Sequence, residues 1–164
     1  MSFTCSVCGE HHVEDLRDIR LGLPDPIYEL PAEAREERAW LSDDFAVLDD
    51  ARFFVRGLLE LPIPSAGDRF GYGLWLEVQL PEFQELMTHW HEPEQFSPVD
   101  AHVANELSPY EETVGLAVTL RAVAADKLPL AELHDAGHPL VRAQREGIQP
   151  ARAEELAAVA VHSM

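Results

Sequence analysis

The sequence predicts an α+β fold: a mainly antiparallel sheet with a crossing helix, two C-terminal helices and an N-terminal CxxC knuckle. Three observations carry this expectation. Apolar runs rich in Phe, Val and Leu follow one another across short, turn-rich connections, as strands in a meander do. A helix-period segment, PEFQELMTHWHE, falls between two of those runs. The chain then closes on two segments opened by Pro139 and Pro150, each with helical composition.

Residues 3–12, FTCSVCGEHH, read as a tight knuckle, and LGLPDPIYELP as an extended loop. AEAREERAW is rich in helix formers and predicts a short exposed helix from Ala32 to Trp40. A short strand ending near Leu48, a turn at Asp49-Asp50 and a longer strand from Phe53 to Ile63 come next. PSAGDR then connects to a strand from Phe70 to Leu80, and the two long strands are expected to pair antiparallel. In the following helix Phe83, Leu86, Met87 and Trp90 recur at i, i+3, i+4 and i+7 and predict one buried stripe. Residues 92–111 read as irregular, apart from a turn at Val103–Leu107. Strands at Thr113–Val123 and Lys127–His134 follow, then a helix from Pro139 stopped by Gly147, and a last helix from Pro150 to about Val161.

At 164 residues, with 46% apolar and 26% charged residues, the chain suits one globular domain spanning 1–164, residues 1–14 being the knuckle packed on it. No apolar run reaches the roughly 18 residues of a membrane span, and MSFTCSVCGE lacks the pattern of a secretion signal. A cytoplasmic protein is expected. Thirty acids against twelve bases give a net charge of −18, with Lys127 the single lysine. Such a field repels phosphate backbones and anionic lipid, so neither nucleic acid nor membrane is an expected partner. Between Arg69 and Arg121 there is no Lys or Arg, while nine acids occur, from Glu77 to Glu112. If these share a face, they form an anionic patch suited to a basic protein partner.

Cys5 and Cys8 pose the chemical question. A redox pair sits at a helix N-terminus after a strand, whereas Gly9 breaks the chain directly after Cys8. A disulfide would close a strained, tiny loop. Metal binding fits better: two thiolates two residues apart grip one ion from a tight turn, and zinc takes four such ligands in a tetrahedron. His11 or His12 supplies a third, and His138 is the candidate fourth, because a helix N-terminus disfavours imidazole protonation. His134 and His138 offer a rival pair with H-x3-H spacing. His89 and His91, roughly 200° apart around a helix, cannot share an ion.

The order of Phe3, Cys5, Cys8-Gly9, His12, FFVRGLLELPI, GLWLEV and HPLVRAQREGI resembles the bacterial family DUF2199, over nearly the whole chain. The resemblance favours His12 over His11, matches His138, Pro139, Leu140, Gln144, Gly147 and Ile148, and leaves His134 outside the pattern. It implies landmarks and supplies no activity. The expected protein is therefore a non-catalytic, protein-binding domain with a structural zinc held by Cys5, Cys8, His12 and His138. The alternative is a metal-dependent hydrolase with three ligands, an activated water, and Glu10 or Asp135 as general base. A small-molecule module would rest on Tyr72, Trp75 and Trp90, which core packing also explains.

Overall fold

The computed structural model describes the backbone of residues 3–4, 11–12, 18–134 and 137–163, with side chains for 19–134 and 137–159. The longest feature is a hairpin. Strand β6 (Arg52–Ile63) pairs with β7 (Asp68–Val78) antiparallel from Phe53↔Val78 to Ile63↔Asp68, as the two long apolar runs predict. The turn Pro64–Ala66 joins them, and Gly67 closes it at a left-handed φ of 60°.

Other strands attach on both sides of this hairpin. Before it come β3 (Asp18–Arg20), β4 (Ala39–Leu41) and β5 (Phe45–Leu48); after it come β8 (Val99–Val103), β9 (Ala117–Arg121) and β10 (Leu130–Leu133). They form one eight-stranded sheet in the order β3-β7-β8-β9-β10-β6-β5-β4, with β6 also paired to β7. Strands β6, β7, β8, β9 and β10 therefore form a closed ring. The clasp is a parallel contact, Leu130↔Leu58, where the Leu58 N–H donates to the Pro129 carbonyl at 2.9 Å. Gly57 makes room for the side chains packed beside the clasp: a Cβ at that position would stand 2.8 Å from Leu76 Cδ1 and 3.0 Å from Leu120 Cδ2. A second parallel contact joins β3 to β7, and every other pairing in the sheet is antiparallel. A separate ladder, Phe3↔His12 and Thr4↔His11, joins β1 (Phe3–Thr4) to β2 (His11–His12).

Helices α1 (Asp25–Tyr28), α2 (Ala32–Arg38), α3 (Leu80–His89), α4 (Pro139–Glu146) and α5 (Pro150–Ser163) complete the chain. The α+β expectation holds, including the crossing helix and the C-terminal pair. Two buried clusters lie on opposite faces of the strands. The larger includes Val55, Leu74, Leu76, Leu120, Phe83, Leu140 and Leu156; the smaller gathers Phe54, Trp75, Ala46, Leu48 and Ile27.

Four expectations need correction. The stretch LGLPDPIYELP, read as an extended loop, carries α1 at Asp25–Tyr28, with a proline in its first turn. The helix from Ala32 ends at Arg38, because α2 buries no side chain and Trp40 instead pairs with Val47 across β4–β5. Residues 99–103, read as irregular, form β8 with the alternating burial of VDAHV. Prolines at 93 and 98 hide so short an alternation. Met87 does not join the buried stripe of α3: Phe83 and Leu86 are buried, whereas Met87 is 46% exposed.

The predicted turn at Asp49-Asp50 is present, with φ of 56° and 53°. Two positive φ values in succession give the twist that a tight hairpin needs. Asp49 also accepts two hydrogen bonds from the Arg38 guanidinium, at 2.7 and 2.6 Å. These bonds hold its pKa below the ordinary carboxylate value. A carboxylate with a depressed folded-state pKa contributes stability above its unfolded-state pKa and loses it as pH falls through the folded one. An NMR titration should place the Asp49 midpoint below that of a free aspartate, and Arg38→Gln should return it upward.

Candidate functional site

His138 is the one proposed zinc ligand whose side chain is described. It is the N-cap residue of α4, as Pro139 at the first helical position requires. Its Nδ1 accepts the Leu140 N–H at 3.0 Å, so the ring proton sits on Nε2, which donates to the Glu111 carbonyl at 2.6 Å. Both nitrogens are thus engaged, and zinc ligation by this ring requires giving up one of these bonds. The β1–β2 ladder sets the His12 backbone opposite Phe3, and residues 5–10 connect the two strands. The side chain of His12, and residues Cys5, Cys8, Glu10 and Asp135 altogether, lie outside the described residues. Among those described, no group of three or more His, Cys, Asp or Glu side chains is arranged to hold a metal.

Of the other histidines, His89 and His91 face different partners, as their spacing predicts. His89 Nδ1 faces Glu92 at 3.3 Å and His91 Nδ1 faces the Ala125 carbonyl at 3.2 Å. His134 Nε2 lies 2.7 Å from Thr119 Oγ1. Tyr72 and Trp75 are buried, and half-buried Trp90 packs edge-on against Phe45 at 4.7 Å.

The acid-only stretch divides into two groups along the sequence. Glu82, Glu85, Glu92 and Glu94 belong to α3 and the turn after it, and Glu106, Glu111 and Glu112 to the loop after β8, with Asp100 on β8 between them. Glu85, Glu94, Asp100, Glu111 and Glu112 are exposed, and none of them pairs with a cation among the described residues. Glu77, by contrast, is held bidentately by Arg52 at 2.9 and 2.7 Å. α3 also exposes two apolar side chains, Leu80 at 44% and Met87 at 46%, seven residues apart and so on one side of the helix, with Glu85 on another exposed side.

A third arrangement escaped sequence reasoning. Arg56 is 2% exposed and stacks over the Trp75 ring, 4.4 Å from its centroid. Its guanidinium donates only to carbonyls: Nε to Asp43 at 3.1 Å, and Nη1 to Leu21 and Gly73 at 2.9 Å each. Burial lowers its pKa to about 10, helped by Arg20, against the raising influence of Asp44 and Asp43. Nearby, buried Asn105 accepts the Trp75 N–H at 2.7 Å and donates to Leu23 O at 2.8 Å and Asp25 Oδ1 at 3.1 Å. Asp25 Oδ2 accepts the Glu106 N–H at 2.8 Å. Together Arg56 and Asn105 fix the segment from Ile19 to Tyr28 against β7 and the 105–108 loop. A cleft of about 530 Å³ lies between those segments, lined by Arg20, Leu21, Leu23, Tyr28 and Leu107 among others. The one sequence signal was an arginine inside the apolar run FFVRGLLEL, where a charge must find acceptors if it is buried.

These features define a class first: an α+β protein whose strands close into a ring, with polar clamps outside it. Residues 4–148 match the model of the family described as an uncharacterized protein conserved in bacteria, DUF2199. The chain belongs to that family. No curated protein and no solved structure matches it. No helix among the described residues is long and apolar enough to cross a membrane.

Proposed function

We propose that the protein is a non-catalytic binding domain that docks a basic protein partner through α3 and the turn behind it. One observation carries this reading: α3 exposes Leu80 and Met87 on one side and Glu85 on another, Glu94 follows in the turn behind it, and no Lys or Arg occurs from 70 to 120. Apolar side chains give a docked partner area to bury, and unpaired carboxylates select a basic one and speed its encounter. The test is capture from a lysate of the source bacterium at low and high salt, with wild type and with Glu85→Lys/Met87→Ser. A basic partner held at low ionic strength, released by salt and lost in the variant is the expected result. Capture unaffected by the double variant sinks the assignment of α3.

The same reading includes a structural zinc held by Cys5, Cys8, His12 and His138, a closed set with no position for water. The β1–β2 pairing supports it, because it makes the cysteine segment the connection of a hairpin. A second reading, the metal-dependent hydrolase, is favoured by the engagement of both His138 nitrogens, which leaves three ligands and an open position. Zinc per chain separates the two. Cys5→Ser/Cys8→Ser should lose the metal under both readings. His138→Ala should lose zinc and thermal stability in the closed site, and should keep zinc in the three-ligand site. Protein purified without chelator and free of zinc overturns both.

A further inference from the structure

We propose that the cleft beside β3 binds a small amphipathic oxyanion, its carboxylate or phosphate head at Arg20, with the charge of Arg56 behind the cleft wall, and its apolar body along Leu23, Tyr28 and Leu107. The polar groups around the cleft decide the head group. Asp25 spends both carboxylate oxygens on Asn105 and Glu106, and Asn105 spends its amide on Trp75, Leu23 and Asp25. Arg35 donates to the carbonyls of Ile27, Tyr28 and Leu30. Glu106 Oε1 accepts the Val114 N–H. Apart from Glu106 Oε2 and the hydroxyls of Ser108 and Tyr72, what remains among the described residues is donors. Arg20 makes one hydrogen bond, from Nη2 to the Asp43 carbonyl at 3.2 Å, which leaves Nε and Nη1 open among the described residues. Arg56 uses Nε and Nη1 and leaves Nη2 without a partner among the described residues.

The two guanidiniums are brought together by the same carbonyl, that of Asp43, at 3.2 and 3.1 Å. Arg56 stands directly behind the cleft wall, since its Nη1 holds the carbonyl of Leu21, which lines the cleft. Two like charges meet there, one of them buried and hydrogen-bonded to neutral acceptors alone. The Asp43 and Asp44 carboxylates act on it through space, and an oxyanion adds the charge-assisted hydrogen bonds that these do not make. The net charge of −18 opposes a bare anion in solution. The ligand therefore needs its apolar part, and Leu23, Tyr28 and Leu107 supply the surface for it. Tyr28, 66% exposed, has an open ring to offer. A cleft of this volume matches a ligand of small-metabolite size.

The probes are octanoate, octyl phosphate and octanol, titrated calorimetrically into the full chain at low salt. Octanoate or octyl phosphate should bind at least about tenfold tighter than octanol, the scale expected for hydrogen bonds to a charged group. The stronger of the two identifies the head group. Arg20→Ala, a change at an exposed side chain, should erase the preference over octanol, and Tyr28→Ala should weaken all three probes. Equal binding of all three, no binding at millimolar concentration, or an unchanged preference in Arg20→Ala overturns the proposal. None of these outcomes bears on docking through α3.

Discussion

Gly147→Ala should lower the free energy of unfolding by about 2–5 kcal/mol, the sum of a backbone strain and a steric clash. Gly147 ends α4 at φ 88° and ψ 175°, a conformation open essentially to glycine alone. A methyl group there would also stand 2.7 Å from Pro64 Cδ, 2.9 Å from Pro64 Cγ and 3.0 Å from the Pro62 carbonyl. Neither neighbour yields easily: one is a proline ring in the tight turn of the long hairpin, and the other accepts the Ile148 N–H at 2.8 Å. The substitution thus strains the junction between the C-terminal helices and the tip of β6–β7. Urea denaturation followed by circular dichroism measures the change. A loss under about 1 kcal/mol would mean the junction adjusts freely, and the stiffness assigned to it here would be wrong.

Arg56→Met should cost about 3 kcal/mol, and Arg56→Lys nearly as much. Methionine fills the same space over Trp75 but leaves the Leu21 carbonyl without the donor it faces and the Asp43 carbonyl with Arg20 alone. Gly73 O keeps a donor in the Leu21 N–H and Asp43 O keeps one in Arg20 Nη2, so the penalty falls mainly on the Leu21 carbonyl. Lysine retains the charge, but a compact ammonium does not reproduce the planar fork that reaches three carbonyls at once. The pair of variants separates charge from geometry. If lysine restores wild-type stability, the positive charge alone matters and the clamp is incidental. Hydrogen exchange at the Leu21 amide, bonded to Gly73, should accelerate in both variants.

Much of the frame was legible because its patterns are long. The β6 and β7 runs, twelve and eleven residues, are too extended and too apolar for a surface loop, and Pro139, Gly147 and Pro150 punctuate α4 and α5 unambiguously. Short elements escaped. β3 and β4 have three residues each, and β4 carries Trp40 and Leu41 on a strand that exists only because β5 offers it a ladder. Periodicity cannot announce a partner. For the same reason Met87 was assigned to the core: the helical stripe is real, but the sheet beneath α3 covers only part of it. The polar clamps were out of reach for a different reason. Arg56 meets carbonyls contributed by residues 21, 43 and 73, and Asn105 meets groups from 23, 25 and 75. Backbone acceptors leave no trace in side-chain identity, so only the odd arginine in an apolar strand hinted at them.

The closed ring of strands bears on how copies of this protein behave toward one another. An open sheet of this size would end in two long rows of unpaired N–H and C=O groups, a template on which a second chain could stack. Here each of the five ring strands has a neighbour on both sides, and the sheet's outer edges among the described residues are β3 and β4, three residues apiece. A surplus of eighteen negative charges adds mutual repulsion at a distance. Among the described residues the sheet therefore offers a second copy of this chain little open strand on which to extend it.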